Sequence, residues 1–174
     1  KTVGIIQSVI ASGMIFGSLV IGLFGSKKKY VKMLSVSLFF TGISFALIGS
    51  NTNLILITIF GFMFFSFLPF VNTSIEVLIR NNIANEKQGR LWSIVSTITY
   101  FGSIIAFLVA GILADNAFNP LLTTNGALAS NIGRIIGVGD TRGIGLMFIL
   151  SGIFISLISS IIHNNKHISE LEKF

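Results

Sequence analysis

Five stretches of mostly apolar residues fill most of this 174-residue chain. Each is close to the ~20 residues that a helix needs to cross the hydrocarbon core of a bilayer. In lipid every backbone N–H and C=O has to be satisfied within the segment or in a closed barrel, and runs this long and apolar do so as helices. The composition agrees, with 52% hydrophobic and 10% charged residues and a mean hydropathy of +0.89. The expected fold class is therefore all-α, a polytopic transmembrane helix bundle. Its five spans are expected over residues 2–24, 33–50, 54–79, 91–113 and 143–162.

The net charge of +6 points to the lipid bilayer as partner rather than to nucleic acid, because of where the cations stand. Lys27, Lys28, Lys29 and Lys32 share one gap, Arg80, Lys87 and Arg90 another, and Lys166 and Lys173 the tail. Cytoplasmic loops carry this excess beside anionic lipid. These three regions hold nine of the 12 Lys and Arg residues, so the chain's N-terminus is expected outside and its C-terminus in the cytoplasm of a cell-membrane protein. The chain opens on Lys1, and its first span lacks the cleavage site and following soluble domain of a secretory signal. Residues 1–174 thus read as the C-terminal transmembrane part of a longer protein.

Small residues mark packing faces. Gly13 and Gly17 share one face of the first span, Gly102, Ala106 and Ala110 one face of the fourth, and Ser151, Gly152, Ser156, Ser159 and Ser160 line the fifth. The second and third spans, joined only by Asn51-Thr52-Asn53, are expected to be antiparallel neighbours. Pro69 is expected to kink the third, which continues to about Asn82. A turn-like segment over Ala84 to Gly89 then leads to the fourth. Ala114 to Arg142 reads as the longest polar interval, with a short surface helix over Leu128 to Ile136.

Glu76 and Arg80, four apart, form a favourable helical pair. With Gly89 and Arg90 at the start of the next helix they are expected to act as a charged latch on one side of a gate; the plainer alternative is an exposed ion pair of little energy. The residues expected to meet a substrate are uncharged: Gln7, Ser66, Asn72, Ser96, Thr97 and Tyr100. Phe65 and its neighbouring phenylalanines read first as packing and alternatively as an aromatic wall for a bulky apolar ligand. No ionisable residue lies in the middle of a span, so a group that couples transport to protons is expected elsewhere. With no cysteine, and with His163 and His167 at the end of the last span, no metal site or cofactor is expected. Gly137 to Gly143 superficially resembles a phosphate loop but lacks the strand before it and the Lys-Ser/Thr ending. No catalytic constellation is present, and the chain does not read as an enzyme.

Three places resemble the C-terminal half of major facilitator superfamily transporters, from the eighth of twelve helices onward. Gly22-Leu23-Phe24-Gly25-Ser26-Lys27-Lys28-Lys29 is similar to that superfamily's glycine-then-basic loop. Glu76-Val77-Leu78-Ile79-Arg80 with Glu86-Lys87-Gln88-Gly89-Arg90 resembles its loop between helices ten and eleven. The segment from Asn125 to Ile144 is similar to the last outer loop of macrolide-efflux and enterobactin-exporter-like members. Ser26 stands where the family's loop carries an acidic residue, which shifts the expected locking role to Glu76, Arg80 and Arg90. The resemblance implies alternating access to a midplane site, a missing N-terminal transmembrane half, and proton-driven export of a small-molecule substrate such as a drug or siderophore. The competing reading is a non-transporting membrane module that assembles with, or is fused to, another membrane protein or lipid-modifying enzyme.

Overall fold

The computed structural model describes residues 2–24, 29–123, 126, 128, 130, 133–139 and 142–171. The described residues form helices and connections, with no strand among them. Five long helices carry the fold: α1 (Thr2–Phe24), α2 (Tyr30–Ser50), α3 (Leu54–Asn82), α4 (Asn85–Leu113) and α7 (Arg142–Asn164). Each is long and apolar enough to cross a membrane. Three short helices, α5 (Asn119–Leu121), α6 (Gly133–Ile136) and α8 (Lys166–Glu170), lie in the connections and tail.

Three seams hold the bundle: α2 with α7, α1 with α3, and α2 with α3. Small residues set the first two, because association in lipid relies on close backbone approach rather than on the hydrophobic effect. In the α1–α3 seam Gly13 faces the Phe62 carbonyl and Ser66, and Gly17 faces the Ser66 carbonyl and the Pro69 ring. Both partners advance together along the chain, so α1 and α3 run parallel. Phenylalanines fill the α2–α3 seam. Phe40 stacks on Phe67 with ring centroids 5.2 Å apart, and Phe45 meets Phe64 at 5.2 Å and Phe148 of α7 at 4.7 Å. Here one partner advances as the other recedes, which makes α2 and α3 antiparallel, as the short turn between them implies.

The α2–α7 seam has a regular register. Ser35 faces Ser159, Gly42 faces Gly152, and Gly49 faces Gly145. Each helix therefore presents a small residue every seven positions, in opposite chain directions. A seven-residue repeat keeps one stripe of a helix facing its neighbour in a left-handed supercoil. The sequence reading placed small residues on the fifth span without finding this pairing.

Two boundaries depart from the sequence reading. The stretch from Ala84 to Gly89 is not a turn, since α4 begins at Asn85 and only Ile83 and Ala84 separate it from α3. The Gln88 side chain tightens this corner by donating to the Ile83 carbonyl at 2.9 Å and to Asn85 Oδ1 at 3.0 Å. The interval after Leu113 does not begin as a loop either. The helix continues through a π-helical segment, Ala114–Phe118, into α5. Pro120 lacks an N–H and would clash with the carbonyl four residues back, and the wider π turn just before it accommodates both effects. Pro69, by contrast, sits buried inside an α3 that runs on unbroken to Asn82.

At the end where α7 begins, Leu122, Ile136 and Leu146 are buried together, with Phe118, Leu128 and Ile149 packed against them. Of the expected surface helix over Leu128 to Ile136, the described residues include the single turn α6, which tucks Ile136 into this cluster, while 129, 131 and 132 lie outside them. The amide of Gly137, where φ is +90°, donates to the Gly133 carbonyl, and that of Gly139 to the Leu122 carbonyl. The N–H groups of these two glycines are thus spent on closing the corner.

Candidate functional site

Hydroxyl groups in the spans mostly satisfy themselves within their own helix. Ser8, Ser18, Thr41, Thr58, Ser66 and Ser74 each donate to the carbonyl four residues earlier, at 2.6–2.9 Å. Such back-bonding removes the cost of an unpaired donor in hydrocarbon and leaves these hydroxyls little to offer a ligand. Ser159 behaves differently, donating across the seam to the Ser35 carbonyl at 2.5 Å. Beside it, Ser35 Oγ and His163 Nδ1 are 3.2 Å apart. Ser35 Oγ also lies 3.0 Å from the Lys32 carbonyl, so the contact engages Nδ1 of the ring beside a hydroxyl already at the seam. This leaves Nε2 for a different partner.

The same residues border a cavity of about 260 Å³ between α2 and α7, lined by Ser35, Phe39, Phe40, Ser159, His163 and Asn164 among others. A second cavity of about 350 Å³ shares Phe39 and Ser160 with it and continues past Ile43, Leu47 and Ile153. Sequence reading places His163 at the end of the last span, where no metal site is expected, and does not single out Ser35. The signal it missed was the matched seven-residue spacing of Ser35, Gly42 and Gly49 against Gly145, Gly152 and Ser159.

The residues expected to touch substrate are spread over three helices and are not brought together. Gln7 on α1 and Asn72 on α3 are exposed, as are Ser96, Thr97 and Tyr100 on α4, which forms no packed seam with α1. Ser66 lies in the α1–α3 seam, its hydroxyl held by the Phe62 carbonyl. Phe65 meets Phe64 edge-on at 5.4 Å. The neighbouring phenylalanines mostly join helices, which favours the packing reading over an aromatic wall.

Of the latch residues, Arg80 approaches Glu76 at 3.8 Å, with the two side chains 67% and 52% exposed. Arg90 is exposed in the first turns of α4, and Gly89 has open space around it. Gln88, not Arg90, reaches back to the end of α3. In the glycine-basic loop, Gly22 has open space around it and Lys29 precedes α2, while Gly25, Lys27 and Lys28 lie outside the described residues.

Helix α4 differs from the other spans in having no buried residue. Ile98, Phe101, Ile105, Phe107 and Leu108 are all at least 60% exposed. A helix apolar on every side requires burial in protein or lipid all round.

The sequence profile of the Major Facilitator Superfamily matches residues 1–129, nearly three-quarters of the chain. The chain belongs to the major facilitator superfamily. It is a multi-pass membrane protein, and the five long helices are part of that family's transmembrane bundle. The chain is also 28% identical over 116 residues to macrolide efflux protein A of Streptococcus pyogenes. The protein of that name from the serotype M6 strain matches over the same length with the same identity. The match takes in 65% of this chain but only 28% of the relative, so this major facilitator chain corresponds to little more than a quarter of the proteins it matches. No solved structure matches it.

Proposed function

We propose that this chain is the C-terminal part of a secondary active exporter that moves a bulky apolar or amphiphilic small molecule by alternating access. Family membership supports transport, and the efflux relative supports the outward direction and the substrate class. The observation that carries the substrate class is chemical: the spans hold no charge in their middles. A phosphate or carboxylate substrate would call for a cation at that depth.

The transporting unit includes further helices beyond these five. The exposed apolar flanks of α4 fit packing against them, as does the small share of the relative that the chain spans. Proton coupling belongs to a titratable group on those helices. The chain's N-terminus is outside and its C-terminus cytoplasmic, since Lys29, Lys32, Arg80, Lys87 and Arg90 gather at one end of the bundle. At that end Glu76, Arg80 and Arg90 form a gate latch that closes when α3 and α4 are drawn against the other half.

Expression of the full-length gene in a host lacking macrolide pumps tests this reading. Accumulation of a radiolabelled macrolide is expected to fall several-fold and to recover when a protonophore is added. Accumulation equal to the empty-vector control, across macrolides and other amphiphilic drugs, would favour the non-transporting membrane module.

A further inference from the structure

We propose that the groove between α2 and α7 is a binding site for one anionic phospholipid, with its headgroup at His163 and Asn164 and an acyl chain along Phe39, Ile43 and Ile153. The inference rests on the α2–α7 seam and stands apart from the transport reading.

The dimensions fit one leaflet. The two cavities share Phe39 and Ser160 and together run from Ser35 to Leu47 along α2. Twelve residues of helix rise about 18 Å, against about 15 Å for half of a bilayer's hydrocarbon core. The groove is open to one side because the small residues of the seam let the helix axes approach while leaving little side-chain bulk at its floor. Its walls are apolar along most of this length, apart from Ser156, whose hydroxyl is held by the Gly152 carbonyl, and polar groups gather at one end, where Ser35, Ser159, Ser160, His163 and Asn164 converge. An amphiphile with a single polar terminus matches that gradient.

The polar end also has a sign. Lys29 and Lys32 open α2 there, and His163 and His167 lie at the end of α7 and in α8. Among the described residues, Glu170 on α8 lies at the same end as the two lysines. The 3.2 Å contact between His163 Nδ1 and Ser35 Oγ holds the ring at the mouth of the groove and leaves Nε2 as its second polar atom. Asn164 supplies an amide donor beside it. Cations clustered at a membrane surface attract anionic headgroups, and polar side chains at the mouth of an acyl groove add a defined place to that attraction.

Photo-crosslinking of the full-length protein in phosphatidylcholine nanodiscs tests the site. The probe is phosphatidylglycerol with a diazirine on its acyl chain, and the labelled peptides are mapped by mass spectrometry. Labelling is expected to concentrate on residues 36–47 and 153–160 and to exceed that by the matching phosphatidylcholine probe at least five-fold. The double variant His163→Ala, Asn164→Ala should abolish that preference, and Ile153→Trp should block labelling by both probes. Detergent-extracted variants with unchanged helix content and monodisperse elution exclude misfolding as the cause. Equal labelling by the two probes, labelling spread evenly over α1 and α4, or an unchanged preference in the double variant would each overturn the proposal.

Discussion

Gly42 on α2 lies directly against Gly152 on α7. A Cβ placed on Gly42 would stand 2.6 Å from the Gly152 carbonyl oxygen, and one on Gly152 closer still to the carbonyl of Gly42. Because the obstacle is backbone on both sides, neither helix yields by changing a rotamer. The pair is the middle rung of a three-rung register completed by Ser35 with Ser159 and Gly49 with Gly145, and it fixes how α2 and α7 sit together.

That contact leads to a stability contrast. Gly42→Val or Gly152→Val in the full-length protein is expected to cost about 1–3 kcal/mol through overpacking, read as a lower midpoint of thermal unfolding in detergent. Gly89→Ala, at a position in the polar first turns of α4 with open space around it, is expected to be neutral or slightly stabilising. Equal tolerance of all three substitutions would contradict the seam.

The α1–α3 seam makes the same demand at Gly17, where a Cβ would strike the Ser66 carbonyl. Gly17→Leu is expected to separate the two helices. Disulfide cross-linking between cysteines placed at Ile10 and Gly61 should drop sharply in that variant, and cross-linking retained at the parental level would contradict the parallel register.

The hydroxyl of Ser159 is expected to contribute modestly. Ser159→Ala removes one inter-helix hydrogen bond, worth about 0.6 kcal/mol on average in a membrane protein, so its effect on unfolding should be smaller than that of Gly152→Val. The reverse ranking would mean that polar contacts, not backbone approach, hold α2 to α7.

The exposed Glu76–Arg80 pair contributes well under about 1 kcal/mol to stability. Glu76→Gln and Arg90→Ala are therefore expected to leave insertion and unfolding unchanged while lowering efflux several-fold. Normal efflux in both variants would remove the gate latch from the account.

The proposed topology is directly accessible because the chain has no cysteine. Single cysteines at Asn51 and Thr123 are expected to react with a membrane-impermeant maleimide on intact cells, and one at Lys29 only after permeabilisation. The inverse pattern would reverse the orientation.

Much of this architecture was legible from period and punctuation. Apolar run length located five helices, and Asn51-Thr52-Asn53 announced an antiparallel pair. Gly13 and Gly17, four residues apart, marked a real packing face. What escaped has physical reasons. The polar sequence Asn85-Glu86-Lys87-Gln88 looked like a turn because membrane logic treats polarity as loop, yet these residues carry an ordinary helix start held by Gln88. Ala114 to Arg142 reads as a polar interval, yet it opens with continuing helix in which a π turn precedes Pro120. The α2–α7 register depends on two helices nearly a hundred residues apart, and its signal appears only when one seven-residue spacing is read against another in reverse. Gln7, Ser66, Asn72, Ser96 and Tyr100 were grouped by polarity alone, and polarity does not say which face of a helix a residue occupies.

Transport by the full-length protein in proteoliposomes bears most directly on the exporter reading. With an acidic lumen, uptake of a radiolabelled macrolide is expected to exceed that of protein-free vesicles carrying the same gradient, and the excess should vanish with a protonophore. Uptake no greater than in the protein-free vesicles, by protein shown to be folded and inserted, would contradict it.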